Sequence, residues 1–248
     1  MTDKVIGVLG GMGPEATIAF YSRLVSQTAA TRDQDHLHVI IESNPRVPDR
    51  TAAALGEGPS PVPLLARGVD ALQRAGADFV VIPCVSAHIF LEELRGRIGI
   101  PVISILDALA DQVRDDPGRI RRVGLLATEG TVKAGLFQRR LAEIGVEVML
   151  PGPEDQALVV SAIYAVKAAA PEAHRRKINA ELRAVSQRLI DAGAEGIVLG
   201  CTEIPLVIGP ADLNVPVFDS LSLLARAAIR AAGGTPVVFE SPKQGRSE

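Results

Sequence analysis

The sequence predicts an α/β fold: two similar doubly wound domains with parallel sheets, related by pseudo-twofold symmetry, with a ligand cleft between them. Three observations predict it. Short β-branched apolar runs alternate with helical stretches along the whole chain. Glycine or proline punctuates nearly every junction. Three segments recur in one order at nearly one offset.

In chain order, Val5–Gly11 ("VIGVLGG") reads as a strand ended by glycines. The next stretch, "PEATIAFYSRLVSQTAA", has helical spacing, with Pro14 suited to the first turn. His38–Ser43 reads as a second strand. The Pro- and Gly-rich stretch Asn44–Pro63 reads as an irregular loop around a short helical piece, long enough to form a lid. "VPLLARGVDALQRAGA" is an amphipathic helix closed by Gly76, and "DFVVIPC" is a third strand. "SAHIFLEELRGRIG" reads as a helix, and Pro101 precedes a fourth strand, "VISI". The second half repeats the plan: "RVGLLAT", a helix, "GVEVMLP", a long helical region from about Glu154 to Ala192, "GIVLGC", a short helix and "VPVFD". The charged stretch Arg114–Arg122 reads as the crossing between halves, and the polar tail "SPKQGRSE" reads as frayed. The expected domains are residues 1–102 with about 219–248, and residues 103–218.

Composition narrows the function. The 248 residues are 47% hydrophobic and 22% charged, which fits a folded globular chain. A net charge of −3 lacks the basic excess of a general nucleic-acid binder, and 3% aromatic content leaves few stacking platforms for bases. There is no apolar run of about 18 residues and no signal-peptide pattern at the start. Two cysteines far apart make no disulfide framework. A cytoplasmic protein with neither nucleic-acid nor membrane partners is the expectation.

The repeat gives those two cysteines a meaning. Gly7 and Gly124 lie 117 positions apart, as do "AGADFVVIPC" at Ala75 and "AGAEGIVLGC" at Ala192. "IPVISILDALA" and "VPVFDSLSLLA" lie 115 apart. Ligands in open α/β sheets bind outside the carboxyl ends of strands. Cys84 and Cys201, each following an equivalent strand, would then face each other across one cleft. Two such thiols could hold a metal, form a redox pair, attack as nucleophiles or move protons. The chain has no CxxC and no His spacing suited to a metal. A lone nucleophile leaves the duplication unexplained. Proton transfer uses two groups: one thiolate takes a proton from one face of a carbon and one thiol delivers a proton to the other. A helix N-terminus after each cysteine would favour the thiolate. The alternative, two small buried core residues, remains open.

Several motifs resemble the aspartate/glutamate racemase superfamily, and within it the cofactor-independent aspartate racemases. They are "IGVLGGMGPEAT" (Ile6–Thr17), "RDQDH" (Arg32–His36), "NPRVPDRT" (Asn44–Thr51), "GADFVVIPCVSAH" (Gly76–His88), "GLLATEGT" (Gly124–Thr131) and "GAEGIVLGCTEIP" (Gly193–Pro205). The resemblance implies two-base racemisation by Cys84 and Cys201, no cofactor, an acidic amino-acid substrate and a homodimer. It places Arg50 and Lys167 at the substrate's side-chain carboxylate and Asn44 among the substrate-binding residues. Backbone N–H groups at Met12 and Gly13, ahead of a helix, would hold a carboxylate. Thr128 and Thr131 occupy the equivalent loop of the second half, as carboxylate ligands or as plain N-caps. His88, four residues after Cys84, is either a charged neighbour of the thiol or a structural part of its helix. Glu203 takes the position where the related glutamate racemases carry His.

One departure bears on the substrate. The family pattern after the third strand is Cys-Asn-Thr, and this chain has Cys84-Val85-Ser86. Ser86 keeps a hydroxyl, but Val85 removes an amide that would orient substrate, which weakens discrimination. Thr202 keeps a polar group beside Cys201. The expected substrate is therefore aspartate or a close acidic analogue. A related thiol-dependent isomerase or decarboxylase of a dicarboxylate, and a catalytically impaired ligand-binding homologue, stand as alternatives. A pyridoxal-phosphate enzyme is disfavoured, because no lysine sits in a recognisable Schiff-base context.

Overall fold

The structure is a computed structural model that describes residues 4–116 and 118–237. The tail from Ser241, expected to fray, lies outside the described residues, as does Pro117 in the charged crossing.

The first half runs β1 (Ile6–Gly10), α1 (Pro14–Gln27), β2 (Val39–Ser43), α2 (Arg50–Leu55), α3 (Val62–Arg74), β3 (Phe79–Val81), α4 (Leu91–Arg95), β4 (Val102–Ile103) and α5 (Ile105–Arg114). The second runs β5 (Arg122–Leu126), α6 (Glu129–Lys133), α7 (Leu136–Ala142), β6 (Glu147–Met149), α8 (Pro153–Lys167), α9 (Glu172–Asp191), β7 (Gly196–Leu199), β8 (Val217–Asp219) and α10 (Ser220–Ala232). Two four-stranded parallel sheets result, ordered β2-β1-β3-β4 and β6-β5-β7-β8. The repeat extends to strand register. Gly7 pairs with Val80 in the first sheet, and Gly124 pairs with Ile197 in the second. Val80 pairs with Val102, and Ile197 with Val217. The offsets read from the sequence, 117 and 115, are thus the shifts that superpose one ladder on the other.

The central strands are apolar and buried along their lengths, as sheets covered on both faces require. One hydrophobic cluster crosses between the sheets, from Val8 and Phe20 through Leu109 and Leu224 to Val123 and Leu125. The chain's last described helix closes this core, because α10 packs on both α1 and α5. Separate clusters fill the outer faces, one around Leu65 and Ile82 and one around Leu182 and Leu199.

Two expectations gain detail. The helical region from about Glu154 to Ala192 consists of two helices, α8 and α9. Pro171 has no N–H to continue the ladder and disfavours helical geometry before it. Ala169 accordingly turns to φ +56°, and α9 starts afresh after Pro171. The stretch after Cys84 opens as a 3-10 turn over Val85–Phe90 and becomes α-helical only at Leu91. Cys201 is followed by a three-residue 3-10 turn, Ile204–Leu206. Each thiol therefore precedes a 3-10 turn and not an α-helix, so the aligned peptide dipoles expected to favour a thiolate come only from those short turns. No described helix is long and apolar enough to cross a membrane.

Candidate active site

Strands β3 and β7 end in extended backbone, so the chain delivers Cys84 and Cys201 at equivalent places beyond their carboxyl ends. Both thiols are free and 5% exposed, and both line one cavity between the halves. The first half supplies Arg50, Cys84, Val85 and Ser86 to its wall. The second supplies Thr128, Lys167, Cys201 and Thr202. The cavity holds about 10 Å3 of free space, room for about one water.

Arg50 opens α2, whose N-cap is Asp49; the Asp49 side chain accepts from the Ala52 N–H. Its guanidinium donates to three backbone carbonyls, those of Val47, Pro48 and Met12, at 3.0–3.3 Å. Its Nε is buried without a partner among the described residues. Burial pulls this guanidinium's pKa down, but the facing Cys84 sulfur, Asp49 and Glu203 outweigh it and raise the group above its ordinary value. A buried cation with an unused donor can hold an anionic ligand.

Lys167, in the last turn of α8, is engaged within the protein. Its Nζ donates to Glu203 Oε1 at 2.5 Å and to the Met12 carbonyl at 3.5 Å. Burial opposes its charge, while Cys201, Glu203 and Cys84 raise its pKa. The ligand carboxylate expected at Lys167 has here a counterpart in the protein's own Glu203. Glu203 is 2% exposed and accepts four donors among the described residues. Oε1 also takes the Gly13 N–H at 3.2 Å, and Oε2 takes the Cys201 thiol at 3.0 Å and the Thr202 hydroxyl at 3.4 Å. Burial first, and then the Glu203 carboxylate, push the Cys201 thiol well above its ordinary pKa, against the opposing pull of Lys167.

Hydroxyls join the two halves on the other side. Ser86 Oγ lies 3.2 Å from Thr128 Oγ1 and 3.1 Å from Thr131 Oγ1, and Thr128 Oγ1 donates to Thr131 Oγ1 at 3.0 Å. Thr128 is also the N-cap of α6, accepting from the Thr131 N–H, so it both caps a helix and lines the cavity. Thr131 is fully buried behind it.

Other expected residues stand apart from the cavity. Gly13 presents its N–H to a carboxylate, as its position before α1 suggested, but that carboxylate is Glu203. Met12 acts through its carbonyl. Asn44 faces a separate groove beside Glu42 and α3, where its Oδ1 accepts from the Arg46 N–H. Gly11 explains the placement: at φ +89°, a Cβ there would lie 2.4 Å from Asn44 backbone atoms, so the two loops pack backbone to backbone. His88 is structural. Its Nδ1–H donates to the Cys84 carbonyl at 3.0 Å, and its Nε2 accepts from the Ile105 N–H at 3.2 Å. Burial lowers its pKa to about 4, so it is neutral and brings no charge to the thiol. Glu203, Asp49, Thr51 and Tyr164 complete the wall, and the last three escaped the sequence reading. Tyr164 precedes Lys167 by three positions, one helical turn on one face, and that spacing was the available signal.

Two thiols beyond the carboxyl ends of duplicated parallel strands, lining one cavity with Arg50 and Lys167, mark a two-domain α/β enzyme with its site between the repeats. The chain matches the Asp/Glu/Hydantoin racemase family over residues 9–228 and belongs to it. It is similar to a broad specificity amino-acid racemase of Bacillus subtilis, at 26% identity over 91% of this chain and 96% of that one. The aspartate racemase of Picrophilus torridus superposes with a TM-score of 0.81 at 30% identity, covering 94% of this chain and 96% of the other. An aspartate racemase homologue from Pyrococcus horikoshii gives 0.72 at 28% identity, covering 94% of this chain and 100% of the other. The protein is thus a racemase-family enzyme of the isomerase class.

Proposed function

We propose that the protein is a cofactor-independent racemase of aspartate or a close acidic analogue, working by proton transfer between Cys84 and Cys201. The observation that carries this reading is the pairing of equivalent thiols, one from each repeat, on the walls of one cavity. In the reaction, one thiolate removes the α-proton, and the C–H electron pair is left on the α-carbon. The opposite thiol protonates that carbon from its other face and becomes the thiolate. Arg50 offers its unused donor to a substrate carboxylate, and the Ser86 and Thr128 hydroxyls offer further donors. Aspartate fits the Picrophilus torridus relative, and the Bacillus subtilis relative adds tolerance of other side chains. Val85, with no group to grip an amine or carboxylate, supports such tolerance.

The cavity as it stands is too small for an amino acid, so substrate entry requires part of its wall to move. The segment 44–63 is the lid in this reading: its helix α2 packs against α6 and the turn after Cys84, bridging the cleft. The protein also acts as a homodimer in the cytoplasm. The dimer is supported by an outward stripe on α1, where Ile18 is 71% exposed beside exposed Tyr21 and Val25.

Chiral chromatography of L- and D-aspartate, glutamate and neutral amino acids incubated with the protein tests the reading. Aspartate should equilibrate to equal enantiomers, and Cys84→Ser or Cys201→Ser should each abolish this. Full activity in either variant removes the two-thiol mechanism, and release of carbon dioxide in place of racemisation replaces it with a decarboxylase. Arg50→Ala should weaken acidic substrates far more than neutral ones; equal losses take Arg50 away from the carboxylate.

A further inference from the structure

The two thiols are equivalent in the repeat but not in their surroundings. Cys201 donates its proton to Glu203 Oε2 at 3.0 Å. Every neighbour of that carboxylate is a donor: the Lys167 ammonium, the Gly13 N–H, the Thr202 hydroxyl and the Cys201 thiol. Three of these donors, one of them an ammonium, are independent of the thiol and hold the carboxylate as an acceptor, so the proton between the two groups is assigned to sulfur. Among the described residues Cys84 has no carboxylate in that position, and it instead faces the Arg50 guanidinium.

We propose that Glu203 is a positioning residue that holds Cys201 as the neutral thiol in the resting enzyme, so that Cys84, beside Arg50, is the resting base. The proposal rests on the racemase reading above and adds an order to it. In the resting form Cys84 takes an α-proton and Cys201 gives one. Turnover leaves Cys84 as thiol and Cys201 as thiolate, and exchange with solvent protons restores the start. The charged and titratable groups facing the pair are Arg50, Lys167, Glu203, Asp49 and Tyr164. Of these, Glu203 alone bonds a thiol as a carboxylate. Burial and Glu203 together keep the Cys201 thiol well above its ordinary pKa. Lys167 serves Glu203 from the far oxygen, fixing the carboxylate where Oε2 meets the sulfur.

Steady-state kinetics cannot read this order. The two enantiomers are equally stable, so kcat/KM is equal in both directions whichever thiol rests as the base. The test therefore titrates the thiols themselves, by thiolate ultraviolet absorbance against pH. Cys84→Ser leaves Cys201 alone, and Cys201→Ser leaves Cys84 alone. Cys201 should ionise at higher pH than Cys84. Adding Glu203→Gln to Cys84→Ser should lower the Cys201 midpoint by about one pH unit or more, because an anion beside the thiolate is removed. Adding Lys167→Gln to Cys84→Ser should move it the other way and supplies a second reading if Glu203→Gln fails to fold. Coincident midpoints for the two thiols, Cys201 ionising first, or no response to either substitution would overturn the proposal. Its failure is distinct from that of the racemase reading. The expected titrations without racemisation of any amino acid would end the latter and leave the thiol assignment standing.

Discussion

Protonation of His88 should dismantle the support under Cys84. The neutral ring donates from Nδ1 to the Cys84 carbonyl and accepts at Nε2 from the first N–H of α5. A proton on Nε2 would turn that acceptor into a donor facing a donor, in a fully buried site. Its folded-state pKa is about 4, against an ordinary 6.5. The depressed value means the unfolded chain binds the proton first, so stability is complete above pH about 6.5 and is lost as pH falls towards 4. Linkage over that interval gives a loss of about 2 kcal/mol by pH 5 and about 3 kcal/mol by pH 4. Urea unfolding of the wild type and of His88→Asn at pH 7 and pH 5 measures it. Asn keeps a donor and an acceptor but does not titrate. The variant should lose about 2 kcal/mol less stability between the two pH values than the wild type does. Equal losses would refute the neutral-clamp reasoning, whatever the variant's stability at pH 7.

Two further outcomes follow from the packing. Gly10→Ala would place a Cβ 2.4 Å from Thr17 Cγ2, and Thr17 Oγ1 joins the Gly11 N–H to the Gly13 carbonyl. The variant should be about 2 kcal/mol less stable and lose racemase activity, because the loop that carries the Met12 carbonyl under Arg50 and Lys167 must shift. Thermal melts and activity at wild-type levels would contradict that. For the dimer, Ile18→Glu should convert the protein to monomers in size-exclusion chromatography with light scattering; a persistent dimer would place the contact away from α1.

The duplicated fold was legible because it is written locally. Apolar strands, closing glycines and the offset between Gly7 and Gly124 are all read along the chain, and strand register follows them. Cys84 and Cys201 inherited their placement from that repeat. The break between α8 and α9 was also written, in Pro171, but the flanking helical periodicity masked it. The linkage around Glu203 was not legible. Its spacing from Cys201 is visible, yet its meaning comes from Lys167 and Gly13, which lie 36 and 190 positions away. Asn44 shows the converse: a motif residue whose loop position does not bring its side chain to the cavity, because the backbone of Gly11 stands against it.

The central claim is that two different thiols serve opposite faces of one carbon. Deuterium labelling tests it most directly, with pure L-aspartate and the wild-type protein in heavy water and both enantiomers separated and weighed by mass spectrometry early in the reaction. The account predicts that new D-aspartate carries one α-deuterium while the remaining L-aspartate carries almost none. Deuterium entering both pools at equal rates from the first turnovers would mean that a single group serves both faces, and would contradict it.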